Sequence, residues 1–321
     1  MAGVGAARAA DERLRGVSGD SAGPEPGGLI IVDKPAGMTS HDVVARVRRA
    51  ARTRRVGHGG TLDPMATGVL VVGVQRATRL LTYVIGTDKT YLGTIRLGQT
   101  TVTDDAEGEV VSEASAAHVG DDAIRRTLAG FVGEIDQVPS SVSAIKIKGV
   151  RSYTRVRGGE EVELAARRIT ISRLEVGEIR PVDGGARRDV DIEVTCSSGT
   201  YIRAIARDLG AALGVGGHLV ALRRTAVGGF TLTEAVGLDE LFARAERGEP
   251  VVTLGLAAAA RRCLPGRDVD TDDATVLSHG GLLPAAGIAG PYAVFGPGGE
   301  VVAIVSERGG RARPEVVLAP A

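Results

Sequence analysis

Apolar positions fall in short alternating runs, interrupted by helical stripes with no regular strand–helix–strand rhythm. Leu29–Val32 reads as the first strand, Val69–Val74 as a buried one and Tyr91–Leu97 as another. Ile169–Ile179 and Val190–Thr195 alternate with period two, as half-buried strands do. Thr39 or Ser40 can cap a helix with Asp42 in its first turn and Val43, Val44 and Val47 on its apolar side. Asp121–Phe131 reads as a helix with Ile124, Leu128 and Phe131 on one face. Tyr201–Leu213 reads as another, with Ile202, Ile205, Leu209 and Leu213 aligned and Gly214 and Gly216-Gly217 ending it. Residues 101–120 read as an acidic loop. After Gly248-Glu249-Pro250 come short β-like runs, Tyr292–Phe295, Val301–Val305 and Val316–Leu318, between glycine-rich turns. The mixture predicts an α+β protein with a mixed, mainly antiparallel sheet and a small β-rich C-terminal domain. Residues 1–28, rich in Ala, Gly, Arg and Ser, are expected to be a disordered tail. Residues 29–250 then form the main domain and 251–321 the small one.

Composition narrows the classes. At 321 residues the chain can bury a core without disulfides or metal. Cys196 and Cys263 belong to no metal-ligand cluster, which argues against a structural zinc site; the two could form one disulfide, but their number and spacing better suit a reduced, cytoplasmic protein. No apolar run approaches the ~18 residues of a membrane helix, and no signal peptide is evident. Aromatics make up 3%, too few for a sheet paved with base-stacking rings. Net charge is zero, which alone argues against a nucleic-acid binder.

Charge counted by segment changes that conclusion. Residues 29–100 carry eleven basic and four acidic side chains, and residues 139–188 eleven and six. The balance is restored by acidic stretches at 101–138 and 229–321. Six arginines lie between 46 and 55, Arg52 and Arg55 among them, and are candidates to meet a polyanion backbone. Arg151, Arg155 and Arg157 come next. The plain alternative for any one of them is a solvated surface.

The densest chemistry lies in Gly57-His58-Gly59-Gly60-Thr61-Leu62-Asp63-Pro64-Met65-Ala66-Thr67-Gly68. Four glycines allow close approach or positive φ. Pro64 biases Asp63 toward extended backbone, so its carboxylate projects from a stiff loop. An isolated Asp-Pro is usually an ordinary turn. His58, the glycines and the hydrophobic strand that follows mark this one as a site loop. It is neither a P-loop nor a dinucleotide fingerprint.

Val56–Leu70 resembles the signature of the TruB family of pseudouridine synthases. Further matches follow in family order: Asp33-Lys34-Pro35-Ala36-Gly37-Met38-Thr39-Ser40, Asp88-Lys89-Thr90-Tyr91, Val138–Lys146, Cys196–Arg203 and Leu222-Arg223-Arg224. They span residues 29–228. The resemblance implies a cofactor-free, metal-free isomerase that converts uridine-55 in the T-loop of tRNA to pseudouridine. It also implies a PUA-like C-terminal RNA-binding module, no obligatory protein partner, no membrane and a monomer. Asp63 matches the essential aspartate, Arg203 the arginine that pairs with it, and Tyr91 the tyrosine that stacks on the target base. Tyr201 matches a second active-site tyrosine, and His58 the histidine that fills space left by flipped nucleotides. Lys34, Lys89, Lys146, Gly60, Thr61 and Leu222 fall at motif positions that line the substrate site. Asp63 would attack the ribose, attack the uracil, or remove a sugar proton to give a glycal. The chain departs from the family at Gly59, where Thr or Ala is common, and at Ser140, where a second proline is common.

Three other readings stand beside this one. A guide-RNA-dependent relative of the dyskerin type would need partners for activity. A non-catalytic RNA chaperone would need no Asp63. A glycosidase would need a second carboxylate, for which Asp104-Asp105-Ala106-Glu107 is the available source.

Overall fold

A computed structural model describes residues 27–140 and 164–319, with the backbone of two short strands between them. The expected tail lies almost wholly outside the described residues. In chain order the elements begin with β1 (Gly27–Lys34), α1 (Ser40–Ala50), β2 (Val56–Gly59), β3 (Thr67–Gln75) and α2 (Leu81–Ile85). Next come β4 (Lys89–Leu97), β5 (Gln99–Thr101), β6 (Val110–Glu113), α3 (Asp121–Ala129), β7 (Gly133–Gln137), β8 (Lys146–Ile147) and β9 (Val150–Arg151). Then follow β10 (Arg167–Val182), β11 (Arg187–Cys196), α4 (Ile202–Ala212), β12 (Gly217–Val227), β13 (Phe230–Thr231), α5 (Leu238–Glu246), β14 (Leu254–Gly255) and α6 (Leu256–Cys263). The chain ends with β15 (Gly266–Asp268), α7 (Thr271–Ser278), β16 (Leu283–Pro284), β17 (Tyr292–Phe295), β18 (Val301–Arg308) and β19 (Arg311–Val317).

These elements form two compact units that do not follow chain order. The first holds 27–63, Val69–Ile85 and 229–319; the second holds Pro64–Gly68 and Gly86–Gly228. In the first unit β1 lies between β14 and β3, and β2 pairs antiparallel with β3. Val43, Val44 and Val47 of α1 pack with Ile30, Val32, Leu70 and Val72 and with Leu241 and Phe242 of α5. Thr39 is the cap of α1: its hydroxyl accepts from Asp42 N, and the Asp42 carboxylate accepts from Thr39 N. The C-terminal strands form their own sheet in the order β15-β17-β18-β19-β16, closed over Tyr292, Val294, Val305 and Leu277.

The second unit is built on β12-β4-β11-β10-β7, antiparallel throughout, with the first residues of β3 parallel to β12. Tyr91, Ile95 and Leu97 of β4 share a buried face with Val190, Ile192 and Val194 of β11, and α4 packs against β4 and β12. The start of β3 passes so near β12 that a Cβ on Gly68 would meet Arg224 O at 2.2 Å. Its φ of +101° is also a glycine conformation. The expected α+β class and mainly antiparallel sheet are what the structure has.

Several elements differ from the pattern reading. α3 stops at Ala129 because Gly130 follows, which leaves Phe131 outside the helix and half-exposed. The acidic stretch after Gly98 contains the β5–β6 hairpin. The central strand β12 was not anticipated at all. Both cysteines are free thiols. Among the described residues no helix is long and apolar enough to cross a membrane.

Candidate active site

Asp63 ends the first of the three segments of the first unit, in the connection between β2 and β3. With it in that unit lie Lys34, His58, Gly60 and Thr61. Gly60 has a φ of +96°, which turns the chain out of β2 toward Asp63. Thr61 is exposed and Asp63 half-buried. His58 on β2 meets His41 of α1 edge to face, with ring centroids 5.4 Å apart. Lys34 is a fully buried cation at the end of β1, and its ammonium donates to Pro35 O at 2.9 Å and Met38 O at 2.7 Å. It holds the turn before α1 together, a structural duty that the motif match did not suggest. Arg48, Arg49, Arg52, Arg54 and Arg55 are all exposed, so the arginine run at the end of α1 is a surface face.

Lys89, Tyr91, Tyr201, Arg203 and Leu222 belong to the second unit. Tyr91 is buried in the middle of the sheet, opposite Val194 on one side and Arg224 on the other. Leu222 lies opposite Gly93, on the same face as Tyr91. Lys89 is buried, and its ammonium donates to Thr87 O. Burial, and then the nearby Arg224 charge, hold the Lys89 ammonium below the usual lysine range. Lys146 has its backbone in β8; its side chain lies outside the described residues, as do Arg155 and Arg157.

Tyr201 is the residue before α4, and it has no side-chain cap. The buried amide of Gln137 instead brackets the backbone of Tyr201 itself. Gln137 Oε1 accepts from Tyr201 N at 2.9 Å, and Nε2 donates to Tyr201 O at 3.1 Å. This pins the helix end that carries Arg203. Arg203 is itself buried, and within this unit it meets Thr103 and Asp105 of the acidic stretch and Ser140. Nε lies 3.5 Å from Asp105 Oδ2, and Nη1 donates to Thr103 O at 2.8 Å and to Ser140 Oγ at 3.3 Å. Asp105 is buried and also accepts from Glu107 N and the Thr103 hydroxyl. Ser140 donates to Asp104 Oδ2 at 2.7 Å. Asp104 has a φ of +60° and lies 3.6 Å from Arg207 Nη1. Burial pushes its carboxyl above the usual aspartate range.

Sequence reasoning missed Asp105, Gln137 and Ser140 as site residues. Asp104 and Asp105 were weighed only as a glycosidase's second carboxylate; the structure makes them partners of Arg207 and Arg203 instead. The one available signal was Ser140, a serine at a position where proline is common in the family. Among the described residues no group of His, Cys, Asp and Glu is arranged to hold a metal ion. Chemically, the first unit presents a carboxylate on a stiff loop. The second presents a buried tyrosine in its sheet and a buried, charge-paired arginine in the first turn of α4.

Residues 48–202 match the family model described as TruB family pseudouridylate synthase, N terminal domain. Residues 203–252 match the tRNA pseudouridylate synthase B C-terminal domain, and 264–319 the C-terminal domain of tRNA pseudouridine synthase II. The chain is 57% identical over 302 residues to tRNA pseudouridine synthase B of Arthrobacter sp. strain FB24, covering 91% of this chain and 97% of that protein. It is 56% identical over 302 residues to the protein of the same name from Rhodococcus jostii strain RHA1, covering 94% and 97%. Among solved structures, a chain in a crystal structure of a Cbf5–Nop10–Gar1 complex is similar at a TM-score of 0.69 and 28% identity, covering 91% of this chain and 85% of that one. A chain of the archaeal box H/ACA sRNP Nop10–Cbf5 complex is similar at 0.68 and 29%, covering 91% and 86%.

Proposed function

The chain belongs to the TruB family of pseudouridine synthases, and from that premise we propose that it isomerises uridine 55 in the T-loop of tRNA to pseudouridine, with Asp63 as the residue that drives the chemistry. The observation that carries this reading is the Asp63 loop itself. It has the family signature in sequence, and it sets one carboxylate between β2 and a proline that stiffens the backbone.

The reaction breaks the N1–C1′ bond and forms a C5–C1′ bond, and the hydrogen on C5 leaves to solvent. A glycosidase needs a second carboxylate to activate water. Here the uracil rotates and returns, so water has to be kept out, and one carboxylate suffices. Attack on the ribose, attack on the uracil and glycal formation all begin with the Asp63 carboxylate acting on the bound nucleotide. Tyr91 is the base-stacking surface, Arg203 matches the arginine that the family pairs with its aspartate, and Leu222 belongs to the binding surface. Lys34, Lys89, Lys146, His58, Gly60, Thr61 and Tyr201 belong to the binding surface. A target inside a folded loop has to be flipped out, at a cost of a few kcal/mol that phosphate contacts must offset. Residues 29–250 are the catalytic domain in this reading and 251–321 the PUA-like RNA-binding module. The enzyme acts as a monomer in the cytoplasm without cofactor or partner protein.

The substrate reading is tested by tritium release from T-arm RNA carrying 5-tritiated uridine. Stoichiometric release is expected with the protein alone. Replacing nucleotide 55 by cytidine should abolish it. Dependence on an added guide RNA would support the dyskerin-type alternative instead.

The exposed arginines predict salt dependence. Affinity for tRNA should fall steeply with salt through counterion release, and replacing Arg49, Arg52 and Arg55 together by alanine should reduce the log–log slope by about 2–3. Filter binding at several salt concentrations measures it. An unchanged slope would mean that this face does not meet RNA.

A further inference from the structure

We infer that Ser40 is a positioning residue for Asp63, acting through the backbone of Leu62. This rests on the reading that Asp63 carries the chemistry. Ser40 is the first residue of α1 and fully buried. Its hydroxyl makes two bonds to one residue 22 positions away: it accepts from Leu62 N at 2.8 Å and donates to Leu62 O at 3.1 Å. Asp63 is the next residue.

A serine at a helix start ordinarily serves the helix. Here it does not, because the capping box of Thr39 and Asp42 already satisfies that end. The Ser40 hydroxyl is thus available for a long-range bond, and burial obliges it to make one. Its own position is fixed from below. The buried Lys34 ammonium ties Pro35 O and Met38 O together, which sets the turn that delivers Thr39 and Ser40. The Leu62 side chain is buried as well.

The consequence concerns the freedom of Asp63. Gly60, with its positive φ, stands two positions before Leu62 and is the residue type that restrains a backbone least. The Ser40 clamp restores a fixed point one residue before Asp63, and Pro64 restricts it from the other side. Between the two, the carboxylate keeps little beyond its own side-chain torsions. Bond cleavage at a bound nucleotide needs that kind of placement, since a misplacement of about 1 Å can cost about 100-fold in rate. Ser40 is buried and touches backbone, so its effect belongs in kcat and not in tRNA affinity.

The test compares Ser40→Ala, Ser40→Thr and Ser40→Val by tritium release and tRNA filter binding, with Asp63→Asn in parallel. Thr and Val have the same shape and differ by the hydroxyl, so the pair cancels steric strain. Ser40→Ala and Ser40→Val should lose about 10- to 100-fold in kcat with tRNA Kd unchanged, and Ser40→Thr should recover most of the loss. Equal kcat in the Thr and Val variants, or a loss confined to Kd or KM, overturns the proposal. An inactive Asp63→Asn beside a fully active Ser40→Ala removes the clamp alone. An active Asp63→Asn removes the Asp63 reading, and the clamp with it.

Discussion

Asp63→Asn is expected to bind tRNA with near wild-type affinity and to release tritium from 5-tritiated uridine at least about 10⁴-fold more slowly than the wild type, the scale seen when a nucleophile or base is removed from a working site. Asparagine keeps the volume of aspartate, so the half-buried loop position stays filled, while one acceptor oxygen becomes a donating amide and the charge is lost. It loses the one property that every route needs. A carboxamide oxygen is too weak a nucleophile to attack C1′ or the uracil ring, and too weak a base to take a sugar proton. Tritium release reports the whole sequence, because the C5 hydrogen leaves only after the new C5–C1′ bond has formed. Undiminished release would sink the assignment of Asp63. Full biological function with no release would instead favour the RNA chaperone reading.

The extent to which the sequence disclosed this site follows from the kind of contact that holds each residue. The Asp63 loop was visible because its chemistry is local: glycines, a histidine and an Asp-Pro pair lie within twelve consecutive positions. The helix α4 was visible because its apolar stripe is regular, and its observed bounds differ from the expected ones by a single residue at each end. β12 was not visible. It carries His218, Arg223, Arg224 and Thr225, and a strand with that content reads as surface, yet His218 and Arg224 are buried in the sheet centre. Tertiary pairing overrode the pattern there. The same limit hid Gln137, whose amide acts on a backbone 64 residues away, and Ser40, whose hydroxyl crosses 22. Neither contact leaves a periodicity, and both exist only once two elements have packed. Asp105 was hidden for a different reason. It lies in a stretch where nine of eleven charged residues are acidic, so nothing in the sequence separates it from its neighbours as the partner of an arginine, whereas the fold buries it and leaves Glu107 and Glu109 exposed.

Burial makes Asp105 the second residue whose replacement should have a large effect. Arg203 is held in the second unit with its charge out of contact with water, and Asp105 is the buried carboxylate 3.5 Å from its Nε. Removing one partner of a buried ion pair costs up to about 3–5 kcal/mol, because the other charge loses part of its compensation where water cannot replace it. Asp105→Asn should therefore lower unfolding stability by up to that amount in urea titration. Asparagine can still accept from Glu107 N and the Thr103 hydroxyl, so the turn itself should persist. The catalytic effect is separate and should be read under conditions where the variant is fully folded. If Asp105 acts by orienting the Arg203 guanidinium, kcat should fall by about 100-fold, as expected for a displaced catalytic group, with tRNA Kd little changed. The double variant with Arg203→Ala should then be no slower than Arg203→Ala alone, since two residues that work as one unit are not additive. Additive losses would assign Asp105 a role independent of Arg203. The loss of stability should likewise be smaller in the Arg203→Ala background, where no buried cation remains to be left unpaired.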